Sequence, residues 1–316
     1  MKASPGAAKA GQPGGSDAES GVAPPLHVRE PEVWHIRGAK LSLAHPLVMG
    51  IVNLTPDSFS DGGSYPGVDQ AIKAAAAMVN GGAGLIDVGG ESTRPGAESV
   101  SVAVEMERVI PFVKRAADAF SVPISIDTRK SAVARAALEA GAAVVNDVSG
   151  LAHDPEMGAL VAEMGAGVVL MHMRGTPATM TSHARYERVA ADVAAELQDS
   201  VTEARAAGVP DEAVVLDPGL GFAKDAGQSL ELLSDLGPLR DLGFPMLIGP
   251  SRKSFLGAIL RVPPERRLPG TLAACVAAYL EGVRVFRVHD VEPVVQALDV
   301  AEAIMDAGRV DSGRQR

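Results

Sequence analysis

The chain has 316 residues, 47% of them hydrophobic, and its 29 Lys and Arg against 39 Asp and Glu leave a formal charge of −10. That composition is globular and large enough for a full core, and its acidity makes nucleic acid and anionic membrane poor default partners, because phosphate affinity rests on Lys and Arg. A single cysteine, Cys275, excludes an intrachain disulfide scaffold and any multi-cysteine metal centre.

Residues 1–25 are mostly Ala, Gly, Pro and Ser, 18 of the 25. Such a stretch buries too little to offset its ordering entropy, so a disordered tail is expected there. Short alternating apolar patches over 28–43 suggest a small hairpin. No segment has the length and apolarity of a membrane span or a signal peptide, so a cytoplasmic protein is expected.

From there the chain is rhythmic. Short apolar runs at 47–52, 84–88, 123–126, 143–145, 167–171, 213–216, 245–248 and 282–288 read as strands. They alternate with Ala-rich segments of helical spacing at 68–81, 99–120, 131–140, 155–165, 186–207, 228–236, 270–281 and 292–304. Strands alternating with helices of this length imply crossover units and a parallel sheet. Eight units without a linker-like break argue for a closed (β/α)8 barrel, a TIM barrel, spanning 26–307 as one domain. The polar stretch 308–316 is expected to fray.

In such a barrel, catalytic groups collect where strands end. Asp127, Asn146, Asp217 and Lys253 each follow an apolar strand directly or within a few residues, where a buried polar group needs a partner. Four of them on one rim point to a ligand. Arg94, Arg287 and His289 form a cationic group suited to phosphate oxygens. No Walker A loop is present, and Gly219-Leu-Gly-Phe-Ala-Lys224 lacks the last glycine of a dinucleotide fingerprint, so a compact phosphorylated small molecule fits best. There is no HExxH and no Gly-x-Ser-x-Gly elbow. Magnesium suits the carboxylates only if substrate phosphate shares its coordination.

Met49-Gly-Ile-Val-Asn53-Leu-Thr-Pro-Asp-Ser-Phe59-Ser-Asp-Gly-Gly63 resembles, nearly letter for letter, the first signature of the dihydropteroate synthase family. Asp87-Val-Gly-Gly-Glu-Ser-Thr-Arg-Pro-Gly96 resembles the second. Ser125-Ile-Asp-Thr-Arg129, Asn146-Asp-Val-Ser-Gly150, Leu170-Met-His-Met-Arg-Gly-Thr-Pro177, Asp217-Pro-Gly-Leu-Gly-Phe222, Ser251-Arg-Lys-Ser254 and Arg287-Val-His-Asp290 follow in the family order.

The resemblance implies a usually dimeric pterin-binding barrel in folate biosynthesis. Such enzymes join 6-hydroxymethyl-7,8-dihydropterin diphosphate to 4-aminobenzoate with magnesium, and sulfonamides compete for the aminobenzoate site. Carried over position by position, it implies a pterin set of Asp127, Asn146, Met171, Asp217, Lys253 and Arg287. It implies a diphosphate set of Asn53, Arg94, Arg287 and His289, with Asn53 helping to hold magnesium. For aminobenzoate it implies Phe59, Thr93, Arg94, Pro95, Phe222, Lys253 and Ser254. Asp127, Lys253, Arg287 and His289 would carry the chemistry. Two rival readings share the fold: a pterin-binding paralogue without catalysis, and a folate-dependent methyltransferase domain. The latter would not be expected to keep Ser251-Arg-Lys-Ser254 with Thr93-Arg-Pro95 and Arg287-Val-His289.

Overall fold

The computed structural model describes Met1 and residues 33–55, 66–94 and 96–313, the side chains of Pro66 and 308–313 excepted. The tail expected over 1–25 lies, beyond Met1, outside the described residues, as do Phe59, Pro95 and 314–316. All named elements fall in one compact unit, Pro31–Arg316.

The chain enters as an antiparallel hairpin, β1 (Val33–Ile36) and β2 (Ala39–Ser42), turning at Gly38 with φ +74°. Eight parallel strands follow: β3 (Leu47–Asn53), β4 (Leu85–Gly89), β5 (Ile124–Asp127), β6 (Val144–Asp147), β7 (Gly167–Met171), β8 (Val214–Asp217), β9 (Leu247–Ile248) and β10 (Val285–Val288). Each from β3 to β7 pairs with the next, and β10 lies between β9 and β3. A parallel bridge between Leu216 and Met246, with Leu216 N–H donating to Pro245 O at 2.9 Å, joins β8 to β9 and closes the barrel.

Helices α1 (Pro66–Asn80), α2 (Val102–Ala119), α3 (Ser131–Glu139), α4 (Met157–Met164), α5 (Val189–Ala206), α6 (Ala226–Ser234), α7 (Gly237–Arg240), α8 (Ser254–Leu260), α9 (Leu268–Leu280) and α10 (Val291–Gly313) form the outer ring. Eight of these answer to the sequence pattern. The other two, α7 and α8, are too short for an apolar period to register. The seventh barrel strand is shorter than the expected 245–248 run, although Pro245 and Met246 carbonyls still accept ladder bonds. The last helix continues to Gly313, through part of the stretch expected to fray. Gly308 weakens a helix interior by only about 1 kcal/mol relative to Ala and does not stop it.

Two apolar layers result from strand alternation. Val48, Val52, Ile86, Val88, Ile126, Val145, Leu170, Leu216 and Phe286 pack outward with the helices. Met49, Leu85, Val144, Val169, Val215, Leu247 and Val285 pack inward, together with Trp34, Ile36 and Leu43 of the hairpin region. Trp34 Nε1 donates to Ala213 O at 2.9 Å and Arg37 N–H to Ala143 O at 3.2 Å, both acceptors just before a strand begins. The hairpin therefore closes the amino-terminal mouth of the barrel, leaving the carboxyl mouth for chemistry.

Candidate active site

The inward parity that gives Leu85, Val144, Val169, Val215 and Val285 at one level gives Asp87, Asn146, Met171, Asp217 and Arg287 two residues further on. With Asp127 from β5 these make a polar upper layer above the apolar one. Hydrogen bonds between strands that are not neighbours show that the side chains meet inside the lumen. Arg287 Nε donates to Asp87 Oδ2 at 2.6 Å, and its Nη2 donates to Asp127 Oδ2 at 2.7 Å. Asn146 Nδ2 donates to the same Asp87 oxygen at 3.0 Å, which leaves its carboxamide oxygen as an acceptor.

Two carboxyls thus share one guanidinium. Burial pushes Asp127 up to about 7; Arg287 pulls it back, and the nearby Asp87 carboxylate adds to the rise. Among the described residues, Asp87 Oδ1 and Ser125 Oγ find no hydrogen-bond partner. They stand opposite each other in the β4–β5 register. Buried polar atoms of this kind are normally met by a ligand or a water.

Across the mouth, Asp217 Oδ1 accepts from Gly219 N–H at 2.7 Å, and burial pushes the carboxyl up to about 6. Gly219 sits at φ +68°, and a Cβ there would meet His172 O at 2.1 Å, so only glycine fits this turn. The turn carries Phe222 into a small apolar cluster with Met171, Val148, Met180 and Ala223. Lys253 Nζ lies 4.1 Å from the centroid of the Phe222 ring, and burial pushes its ammonium down to about 8. The pocket therefore offers one flat apolar wall and, facing it, groups that accept and donate in the plane of a heterocycle.

The cationic group gathers at the rim. Ser251 Oγ lies 3.0 Å from His289 Nδ1, and burial, with the charges of Arg287, Arg252 and Arg94, pushes His289 down to about 4. A neutral ring that accepts the Ser251 hydroxyl hydrogen bond at Nδ1 keeps Nε2–H as a donor. Arg252 is not free for phosphate, since it forks onto Asp290 at 3.0 and 2.6 Å. Arg94 is exposed, and Thr93, Asn53 and Lys253 are half-buried. Ser254 opens α8, which follows Lys253 directly.

Sequence reasoning singled out neither Asp87 nor the Glu91 network. Glu91 Oε1 accepts from Arg129 Nη2 at 2.5 Å, and its Oε2 accepts from Lys130 Nζ at 2.6 Å, Ser99 Oγ at 2.9 Å and Val100 N–H at 2.9 Å. The carboxylate thereby pinches the loop carrying Thr93 and Arg94 at its neck. Burial would push Glu91 up, but these bonds outweigh it and hold the carboxyl down at about 2. Gly96 N–H donates to Pro177 O at 3.0 Å and ties the same loop to the one after β7. Asp87 had a legible signal, a carboxylate at inward parity inside an apolar run. Glu91 had none, because its partners come from two other segments.

Residues 49–289 match the family model described as pterin binding enzyme. A dihydropteroate synthase of Synechocystis is 49% identical over 258 residues, covering 81% of this chain and 89% of that protein. The crystal structure of Yersinia pestis dihydropteroate synthase with a sulfonamide drug complex superimposes with a TM-score of 0.82 at 42% identity, covering 87% of this chain and 99% of that one. The Xanthomonas albilineans dihydropteroate synthase solved with 4-aminobenzoic acid gives a TM-score of 0.82 at 41% identity, with coverage of 87% and 99%.

Proposed function

This chain belongs to the pterin-binding enzymes of the dihydropteroate synthase kind, and from that membership we infer the roles of its own residues in joining 6-hydroxymethyl-7,8-dihydropterin diphosphate to 4-aminobenzoate. The observation that carries the assignment is the meeting of Asp127, Asn146 and Arg287 in one lumen with Asp217 and Lys253 at its mouth. A pterin presents a 2-amino group beside a ring N–H. Asp217 has one oxygen steadied by Gly219 and accepts that donor pair, Asn146 gives and takes at the neighbouring edge, and Lys253 serves the 4-oxo group. Met171 floors the ring and Arg287 lies over its face.

The diphosphate is bound by Arg94, Arg287 and His289 Nε2–H. Diphosphate leaves first, and the aminobenzoate nitrogen attacks the pterin methylene cation that remains. No protein nucleophile is needed. The residues stabilise the leaving charge, and the ionised Asp127 favours the cation. Aminobenzoate sits between Phe222 and the Lys253 stem, with its carboxylate toward Ser254, and sulfonamides compete there. Thr93, and Phe59 and Pro95 outside the described residues, complete that pocket.

Asn53 offers a neutral carboxamide oxygen at the end of β3, while Asp87 and Asp127 are drawn to Arg287. That donor set suits a magnesium ion that keeps waters and substrate phosphate oxygens as its other ligands. Bound there, magnesium would neutralise charge on the departing diphosphate. A homodimer is supported by Val300 and Ile304, one turn apart on α10 and 60% and 68% exposed. A cytoplasmic location is consistent with the described residues, none of whose helices is long and apolar enough to cross a membrane.

The test is diphosphate release by the purified protein from both substrates with magnesium, the substrates being verified on another synthase. No release would leave a pterin-binding paralogue without catalysis.

A further inference from the structure

Lys224 is buried with no carboxylate in contact among the described residues, and burial pushes its ammonium down to about 7. Its Nζ lies 2.8 Å from His172 Nδ1, 3.1 Å from Gly219 O and 3.0 Å from Phe222 O. An ammonium has three donors and no acceptor, so these neighbours match it one for one if Nδ1 is unprotonated. They are. His172 Nε2 lies 2.9 Å from Glu196 Oε2, which can only accept as a carboxylate, so Nε2 carries the hydrogen. Burial pushes His172 down to about 4, which keeps the ring neutral. The His172 hydrogen bond, with Arg174 behind it, holds Glu196 down at about 2. From Arg174 through Glu196 and His172 to Lys224, donors and acceptors follow one another in a continuous line.

The network ends on the turn 219–224, whose backbone is unusual. Gly219, Gly221 and Ala223 have φ of +68°, +74° and +48°. A left-handed alanine costs about 1 kcal/mol or more and persists only where its surroundings hold it. Here Lys224 holds two carbonyls, and Tyr186 Oη donates to a third, Ala223 O, at 2.9 Å. The inner side of the same turn sends Gly219 N–H to Asp217 and places the Phe222 ring beside Lys253.

We propose that Lys224, held by His172, is a positioning residue of the condensation: by gripping the Gly219 and Phe222 carbonyls it sets Asp217 toward the pterin and Phe222 toward the aminobenzoate. All three of its donors are engaged by protein, so none is left for a ligand. The identity of the two ligands rests on the reading above; the grip on the turn does not.

Lys224→Met keeps an unbranched chain one atom shorter and removes the donors. Calorimetry with 6-hydroxymethylpterin should show affinity reduced tenfold or more, and KM for aminobenzoate should rise at least threefold. In nuclear magnetic resonance the His172 ring, freed of the neighbouring cation, should protonate at a higher pH than in the parent chain. A lysine with only a structural role would lower the melting temperature and leave pterin affinity within threefold, and that result overturns the proposal. Pterin affinity is read without turnover, so failure of diphosphate release would sink the condensation reading alone. If Lys224→Met does not fold, Tyr186→Phe releases the Ala223 carbonyl from a half-buried position. It should weaken binding of a labelled sulfonamide threefold or more, and unchanged binding overturns the proposal.

Discussion

Arg287 on β10 reaches Asp127 on β5 through the lumen, Nη2 to Oδ2 at 2.7 Å, although β3 and β4 lie between those strands around the wall. The same guanidinium holds Asp87 at 2.6 Å. One cation therefore keeps two buried carboxyls apart and in place.

Arg287→Met leaves both carboxyls without their counter-charge and should cost roughly 3–5 kcal/mol at pH 7. The pH dependence has a definite sign. Asp127 already stands at about 7 in the fold, above its unfolded value, and loss of the guanidinium raises it further. A carboxyl raised in this way is protonated more readily in the folded state, so stability is gained as pH falls toward the unfolded value near 4. Urea unfolding of variant and parent should show a deficit that grows as pH rises from about 6 to 8, where Asp127 ionises in the folded parent and stays protonated in the variant. A deficit independent of pH would mean that the carboxyls do not depend on Arg287.

Asp217→Asn should weaken pterin binding by roughly 2–5 kcal/mol, because the amide accepts one ligand donor and opposes the other with its NH₂. Burial places Asp217 at about 6, so the parent chain should also lose pterin affinity as pH falls through 6 and the carboxylate is protonated. Calorimetry from pH 5 to 8 should find this acid limb in the parent and not in the variant. Less than a threefold loss at pH 7.5 would remove Asp217 as the anchor.

Glu91→Gln opens the neck of the Thr93–Arg94 loop and leaves Arg129 and Lys130 short of a partner. The expected cost is roughly 3–5 kcal/mol at pH 7. Glu91 is depressed to about 2, so its contribution is present above the unfolded value near 4.3 and lost as pH falls toward 2. The difference in thermal unfolding between the two chains should be full at pH 7 and narrow steadily below about pH 4, toward pH 2. Equal melting temperatures at pH 7 would show that the neck does not depend on this carboxylate.

Aminobenzoate or a sulfonamide should bind weakly to the empty protein and much better with pterin, diphosphate and magnesium present. The segments 53–63 and 89–96 are rich in Gly and Ser and costly to order, and ligand charge must contribute that ordering energy. Arg94→Ala should weaken the coupling and leave pterin recognition intact. Titration of a labelled sulfonamide in the two conditions decides, equal affinities indicating a preformed site.

Trp34→Ala removes the largest side chain of the hairpin plug, fully buried and bonded to Ala213 O. The expected loss is roughly 3–5 kcal/mol. Denaturant titration should show it as a lower midpoint, with pterin affinity unchanged because the plug closes the mouth opposite the site. A fall in affinity would mean that the two ends of the barrel are coupled.

The strand and helix rhythm, the barrel and the polar strand ends could be read from the sequence because each is a local property. Continuous apolar runs in strands buried on both faces and helical spacing in a crossover are written in consecutive residues, and Asp127, Asn146 and Asp217 announce themselves as charges or amides where an apolar run stops. The signatures around Asn53 and Thr93 identified the family for the same reason, being contiguous. What required the tertiary structure were relations between segments far apart in the chain. The Leu216–Met246 bridge closes the sheet across a whole crossover unit, and the hairpin becomes a plug only because Ala143 and Ala213 lie at the mouth that it fills. Asp87 gains its role from Asn146 and Arg287, 59 and 200 residues away. Lys224 looked like one more residue of a glycine-rich turn until His172, just after β7, supplied its third acceptor. A buried charge is tolerable only with its partners in place, and those partners are brought together by the closure of the barrel.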